Sequence, residues 1–190
     1  MDKVYFEEKT VEKINYTEVP LTKGEYEYCN FINCDFSNSD LAEISFLECN
    51  FISCNLSMVK LMKTALKEIN FKDCKMLGMQ FDDCIKLQLS MIFENCNLSH
   101  SSFYRTKIKN TIFRNTQLHE TDFTECELTG SVFDNCDLTR ATFDNSILEK
   151  ADFRTSNHYS IDPERNKIKK AKFSIMGISG LLDKYDIEID

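Results

Sequence analysis

Five glycines and two prolines are all that 190 residues contain, the nine cysteines include no C-x-x-C pair, and no run of 18 apolar residues occurs. So few glycines leave no Gly-rich loop to cradle a phosphate, and the missing C-x-x-C argues against a zinc ribbon or a dithiol redox centre. The missing apolar run argues against a membrane-spanning helix. The opening residues Met1-Asp2-Lys3-Val4-Tyr5-Phe6-Glu7-Glu8 lack the apolar core of a secretory signal, so a cytoplasmic location and reduced thiols are expected. His100, His119 and His158 stand apart in sequence with no partner constellation. A catalytic activity, a metal and a cofactor are therefore not expected.

What is present is a repeat. The composition, 42% hydrophobic and 28% charged, is that of one folded domain. Large apolar residues stand at Phe31, Phe36, Leu41, Phe46, Phe51, Leu56, Leu61, Leu66, Phe71, Met76 and Phe81, every fifth residue without a miss. A second run, shifted by two, goes from Phe93, Leu98, Phe103, Ile108 and Phe113 to Leu148 and Phe153. Five fits neither the 3.6 of a helix nor the 2 of a strand, so the chain must turn a corner about once per repeat. Asn or Asp often precedes the large residue, as at Asn30, Asp35, Asp40, Asn55, Asn97 and Asp137, and such side chains bond nearby backbone in turns.

All nine cysteines, Cys29, Cys34, Cys49, Cys54, Cys74, Cys84, Cys96, Cys126 and Cys136, occupy one position of the five-residue frame, two before that of the large residue and otherwise filled mostly by Ser, Thr or Ala. One frame position for every cysteine reads as small buried side chains with inert thiols rather than as ligands or disulfides.

The pattern small residue, Asn/Asp, Leu/Phe, polar, polar over residues 25–154 resembles the pentapeptide-repeat family. The resemblance implies an all-β fold, a right-handed quadrilateral β-helix (solenoid) in which four five-residue sides make a coil of 20 residues. The sequence agrees independently: Phe31, Phe51, Phe71, Phe93, Phe113, Phe133 and Phe153 form one column if the two extra residues bulge from the fourth side within Cys84–Met91, near Lys86, Leu87 and Gln88. Coil spacing should be that of paired strands, about 4.8 Å. A regular convex tube offers no water-excluding pocket, a second argument against catalysis.

The ends differ. Residues 1–24 keep the phase loosely through Val11, Tyr16 and Leu21 and are expected to form a capping coil. Over 155–190, Ser174 is placed to cap a short α-helix through Leu181, Leu182 and Tyr185, followed by a strand at Ile187-Glu188-Ile189. Gly177 and Gly180 are unfavourable for that helix. This tail, with Asp162-Pro163-Glu164-Arg165-Asn166-Lys167-Ile168, resembles the carboxyl end of the Qnr-type quinolone-resistance proteins and of the McbG microcin immunity protein. The resemblance implies a homodimer through the C-terminus, and the apolar set Ile175, Met176, Ile178, Leu181, Leu182, Tyr185, Ile187 and Ile189 exceeds what one coil end needs.

It also implies a DNA-mimicking regulator or protector of a type II topoisomerase, DNA gyrase or topoisomerase IV, with no direct contact to nucleic acid or membrane. The net charge of −8 suits a basic groove. The acidic residues expected to meet the partner are Glu120, Asp122, Glu125, Glu127, Asp134, Asp137, Asp144, Glu149 and Asp152, against only Arg114, Arg140 and Lys150 over residues 113–153. Against a uniform mimic, Lys60, Lys63, Lys67, Lys72 and Lys75 make the middle basic. Qnr-type proteins project longer loops on which protection depends, whereas the only interruption here is two residues near Lys86, so immunity or plain topoisomerase inhibition fits better than drug protection. The alternative is a rigid scaffold for another protein partner.

Overall fold

In the computed structural model, which describes residues 4–188, the chain winds into a four-sided β-solenoid. Side one is a seven-stranded parallel sheet of β2 (Thr10–Glu12), β4 (Asn30–Ile32), β6 (Asn50–Ile52), β8 (Ile69–Lys72), β9 (Met91–Glu94), β10 (Ile112–Arg114) and β11 (Val132–Asp134). Side four begins as a four-stranded parallel sheet of β1 (Tyr5–Glu7), β3 (Glu25–Glu27), β5 (Ser45–Leu47) and β7 (Ala65–Lys67). Sides two and three are single-bridge columns, such as Asn97↔Gln117↔Asp137↔Asn157 on side two and Ser102↔Asp122↔Thr142 on side three. The first coil is in register with the rest, Phe6 over Tyr26 and Val11 over Phe31.

Two residue positions per repeat face inward, and each has its own physics. The large one builds aromatic columns: Phe93, Phe113, Phe133 and Phe153 stack at 5.1, 4.9 and 4.5 Å between centroids. A second column, Phe81, Phe103, Phe123 and Phe143, stacks at 4.4, 5.2 and 5.0 Å and meets the first edge-on. The small one ties coil to coil. Cys54 Sγ donates to the Phe31 carbonyl at 3.3 Å, Thr64 Oγ1 to that of Leu41 at 2.8 Å and Ser156 Oγ to that of Phe133 at 2.6 Å. Where the position holds Cys, Ser or Thr the side chain can supply a donor of this kind, while Ile44, Val59, Ile69, Met79, Ala141 and Ala151 fill it without one. The shared donor explains why Cys, Ser and Thr interchange there and why the cysteines are more than apolar filler.

Corners are turned without glycine. The residue two places after most large ones takes a left-handed φ, between 49 and 65° from Glu8 and Lys13 through Arg140 to Lys170, with Glu18, Lys23, Asp83 and Thr155 as exceptions. Its N–H points along the tube to the next coil, as in Asn33 to the Ile52 carbonyl at 2.9 Å and Glu43 to that of Met62 at 3.0 Å. A strained conformation costing about 1–2 kcal/mol elsewhere is held by the ladder bond it makes possible. Glycine occupies this position at Gly78 and Gly130, where an added Cβ would meet Met58 Sδ or Asn110 Oδ1 at 2.5 Å. On sides two and three the Asn or Asp before the large residue closes the turn, as in Asp35 Oδ1 accepting from Ser37 N at 2.8 Å and Asp122 Oδ1 from Thr124 N at 2.8 Å.

Partners on side one are 20 residues apart at Phe51↔Phe71 and 22 apart at Phe71↔Phe93. The extra two residues lie between Ile85, whose N–H still bonds Thr64, and Ser90, whose N–H reaches Leu66. Leu87 at the crest of the bulge is 80% exposed, while Leu89 turns inward and keeps the core filled. Ser90 Oγ replaces the displaced backbone carbonyl by accepting from Glu68 N at 2.7 Å.

At the C-terminus the fold departs in detail from expectation. Ser174 does cap a helix, its hydroxyl accepting from Gly177 N at 3.1 Å, but Ile175–Leu181 is a 3₁₀-helix, followed by a second 3₁₀ turn at Asp183–Tyr185, and no α-helix forms among the described residues. Gly177 and Gly180 lie directly on Tyr159, where an added Cβ would come within 2.3 Å of its hydroxyl and 2.1 Å of its carbonyl oxygen. Close contact of backbone with ring is why glycines stand in this helix. Asp186 turns the chain through a left-handed conformation, and Ile187 and Glu188 have no strand pairing, so the described part of the expected strand is absent. Ile189 lies outside the described residues.

Candidate partner-binding surface

With every inward position used by the core, any site must be built from outward side chains. The nine acids between Glu120 and Asp152 do not share one side. Asp134 and Asp152 flank the inward phenylalanines of side one, Asp137 is on side two, Asp122 and Asp144 are on side three, Glu127 and Glu149 are on side four, and Glu120 and Glu125 occupy corners. They ring the tube rather than form a face.

Most are also paired to a cation, usually one coil away. Arg105 binds Glu125 through Nε at 2.7 Å, Lys109 binds Glu127 at 2.8 Å, Arg114 binds Asp134 at 3.2 Å and Arg165 binds Asp144 at 2.7 Å. Arg154 and Lys172 both reach Asp152, and Arg140 contacts Glu120. Among the described residues Asp122 and Glu149 have no cationic partner. The 20-residue coil brings these charges together, and exposed pairs of this kind contribute at most about 1 kcal/mol each to stability. They do reduce the potential that the bare count of acids implies.

The histidines do have partners, contrary to their isolation in sequence. His100 Nδ1 lies 3.0 Å from Glu120 Oε2, and His158 Nδ1 lies 3.0 Å from Asp137 Oδ1. His119 Nε2 comes within 2.8 Å of Asp137 Oδ2 but off the line of a good hydrogen bond, so that contact is electrostatic. Burial raises the Asp137 carboxyl, yet hydrogen bonds from Thr139 and His158, together with the close approach of the His119 ring, outweigh it and hold the group well below the usual carboxylate range. Separations near one coil, His100 to Glu120 and Asp137 to His158, are the signal that would have found these pairs in the sequence.

The lysines Lys60, Lys63, Lys67, Lys72 and Lys75 likewise encircle a middle coil, Lys72 pairing with Glu94 at 3.4 Å. At the bulge Ile85 and Leu87 are exposed. At the C-terminal cap Ile175 and Met176 are 90% and 93% exposed, and Ile178, Tyr185 and Ile187 are exposed too, while Leu181 packs on the core. The cap is clamped by Lys184, which bonds Asp162 and Glu164 at 2.7 Å each, and by Tyr185, whose hydroxyl donates to Glu164 at 3.0 Å. Hydrogen bonds to those two carboxylates push the Lys184 ammonium up and pull both acids down. None of this clamp was legible beforehand, because its members are about 20 residues apart in a segment where the five-residue frame stops. No group of His, Cys, Asp and Glu among the described residues is arranged to hold a metal ion, and no helix is long and apolar enough to cross a membrane.

Comparison with known proteins places these features. No curated protein matches the sequence significantly. Two trypsin-treated variants of QnrB1, a plasmid-mediated fluoroquinolone resistance protein, are similar in structure. One has a TM-score of 0.64 at 17% identity over 99% of this chain and 98% of that one, the other 0.61 at 19% over 96% and 99%. Full-length QnrB1 gives 0.50 at 18% identity over 96% and 97%. At such identities the likeness is one of fold. The sequence model of the pentapeptide repeat region matches residues 25–91 and 89–161, and the chain belongs to the pentapeptide-repeat family.

Proposed function

We propose that the protein acts by binding rather than by catalysis, as a rigid rod that enters the DNA-binding groove of a type II topoisomerase and inhibits or shields it. The observation that carries this reading is the end-to-end structural match to a fluoroquinolone resistance protein, which covers 99% of this chain and 98% of that one. The ring of acids supports it, since duplex DNA is also charged on every side rather than along one. Extensive pairing of those acids with Arg and Lys, together with the lysine belt, favours a second reading, a scaffold for a protein partner of another class.

The two readings separate in a gyrase supercoiling assay over a salt series. Inhibition that weakens with salt and is lost on Asp144→Lys with Glu149→Lys, the fold being intact by circular dichroism, supports the topoisomerase reading. No inhibition at tens of micromolar sinks it for the gyrase tested and leaves the scaffold. We also assign the exposed cap residues Ile175, Met176, Ile178, Tyr185 and Ile187 to a homodimer interface, because an apolar group this exposed at one end of a regular tube needs a cover. Sedimentation of Ile175→Asp with Met176→Asp should then report a monomer where the parent reports a dimer.

A further inference from the structure

Side four has nine levels: the strands β1, β3, β5 and β7, then the bulge, then the bridge column Lys107↔Glu127↔Ile147↔Lys167. With the corner residue that follows each level, the four below the bulge present Glu7, Glu8, Glu25, Glu27, Glu48 and Glu68 against Lys67 alone, a net of −5. The four above it present Lys107, Lys109, Lys150, Lys167, Lys169 and Lys170 against Glu127 and Glu149, a net of +4. Of these six lysines only Lys109 takes part in an ion pair among the described residues, with Glu127.

The borders of this face add little charge. Along its edge with side three, Lys23 pairs with Glu43 at 3.8 Å, Arg105 with Glu125 at 2.7 Å and Arg165 with Asp144 at 2.7 Å. Lys63 and Asp83 cancel on the same edge, and Lys9, at the start of side one, adds one positive charge beside Glu8. At the midpoint the bulge exposes Ile85 and Leu87, by 44% and 80%, with Lys86 between them. Beside its crest a cleft lined by Glu68, Ser90 and Ile92 leaves room for an opposing crest.

An acidic half, an apolar midpoint and a basic half make the face complementary to itself turned end for end. We propose that side four binds a second copy of this chain, the two tubes antiparallel and the two-fold axis passing through the bulges. Each copy then sets Glu7 and Glu8 of its first coil against Lys169 and Lys170 of the other, and the two Leu87 crests meet at the axis. Like charges face each other at Glu27 with Glu149 and at Lys67 with Lys109, each beside an opposite charge, Lys150 and Glu127. A parallel arrangement would set acidic half on acidic half and basic half on basic half. Four residues per level at about 3.3 Å and nine levels at about 4.8 Å bury on the order of 1,000 Å² over both copies, the lower end for a specific contact. The association is therefore weak and populated at protein concentrations on the order of 100 µM, well above those at which the cap dimer is read. It does not rest on the topoisomerase reading, and it leaves the cap free.

Sedimentation of the full chain at that concentration tests it, with Ile175→Asp and Met176→Asp built in so that the cap contributes nothing. At about 0.1 M salt, where screening sets in near 10 Å and leaves touching charges paired, the chain should be a dimer, and at about 1 M, where it sets in near 3 Å, a monomer. Glu7→Lys with Glu8→Lys, and separately Lys169→Glu with Lys170→Glu, should each give a monomer of unchanged circular dichroism. An equimolar mixture of these two variants should dimerise again, because one of its end contacts is native and the other is reversed on both sides. A chain monomeric throughout, a dimer indifferent to the reversals, a mixture that stays monomeric, or growth past a dimer by end-to-end stacking overturns the proposal. The unsubstituted protein gives a second check. A carbodiimide should join Glu27 to Lys150, which six coil spacings, about 29 Å, keep apart within one chain, and absence of that cross-link contradicts the antiparallel contact.

Discussion

Truncating Phe113 to alanine tests the core at its middle. The ring is fully buried, stacked between Phe93 at 5.1 Å and Phe133 at 4.9 Å, and met edge-on by Phe103 and Phe123, both at 6.0 Å. Removing an aromatic side chain from a core costs about 3–5 kcal/mol, the value depending on how far the surroundings collapse. Collapse is blocked here, because the backbone ladder Ile92↔Ile112↔Val132 fixes the distance between the coils above and below. The upper part of the range, about 4–5 kcal/mol, is therefore expected for Phe113→Ala. Phe173 provides the internal comparison: at the end of the column it is only partly buried, with ring neighbours Phe153 at 5.4 Å and Tyr159 at 5.6 Å. Its truncation should cost about half as much, roughly 2 kcal/mol. Urea unfolding, followed at unchanged m-value, reads both losses as shifts in midpoint. A loss below about 1 kcal/mol for Phe113→Ala, or one no larger than that for Phe173→Ala, refutes the argument that fixed coil spacing prevents relaxation.

Burial pushes the Cys126 and Cys136 thiols up to about 12, and although the Cys74 side chain pulls the Cys96 thiol down, every cysteine is enclosed, so none should react with an aromatic disulfide reagent in the native protein near pH 8. All nine should react after denaturation, and one fast native thiol would contradict the inward assignment. At the cap, Gly180→Ala sets a Cβ against the Tyr159 backbone and should free residues 175–188 from the tube. Limited proteolysis of that segment should become several-fold faster with the melting of the tube nearly unchanged, and a cap that stays equally protected would show that the glycine contact does not hold it.

The repeat itself was legible because each core residue depends only on the residues five and 20 places away, a local periodic rule that a single sequence displays. Phase therefore identified the Phe column, the burial of all nine cysteines and the stretch that contains the two extra residues. The donors at the small position could not be read that way. Cys, Ser and Thr share size as well as hydrogen-bonding capacity, and only the carbonyl beneath Cys54 or Thr64 tells which property matters.

The sequence by itself determined which residues face inward, for burial has the same period as the chain. Tertiary structure decided what the outside presents: it set Arg114 against Asp134 and Arg165 against Asp144, spread the acids over four sides and brought His119 and His158 to one carboxylate. It also decided that the C-terminal segment is a 3₁₀ cap lying on Tyr159. Outward contacts join side chains about 20 residues apart with no repeated residue type to mark them, so their pairing exists only once the coils are stacked.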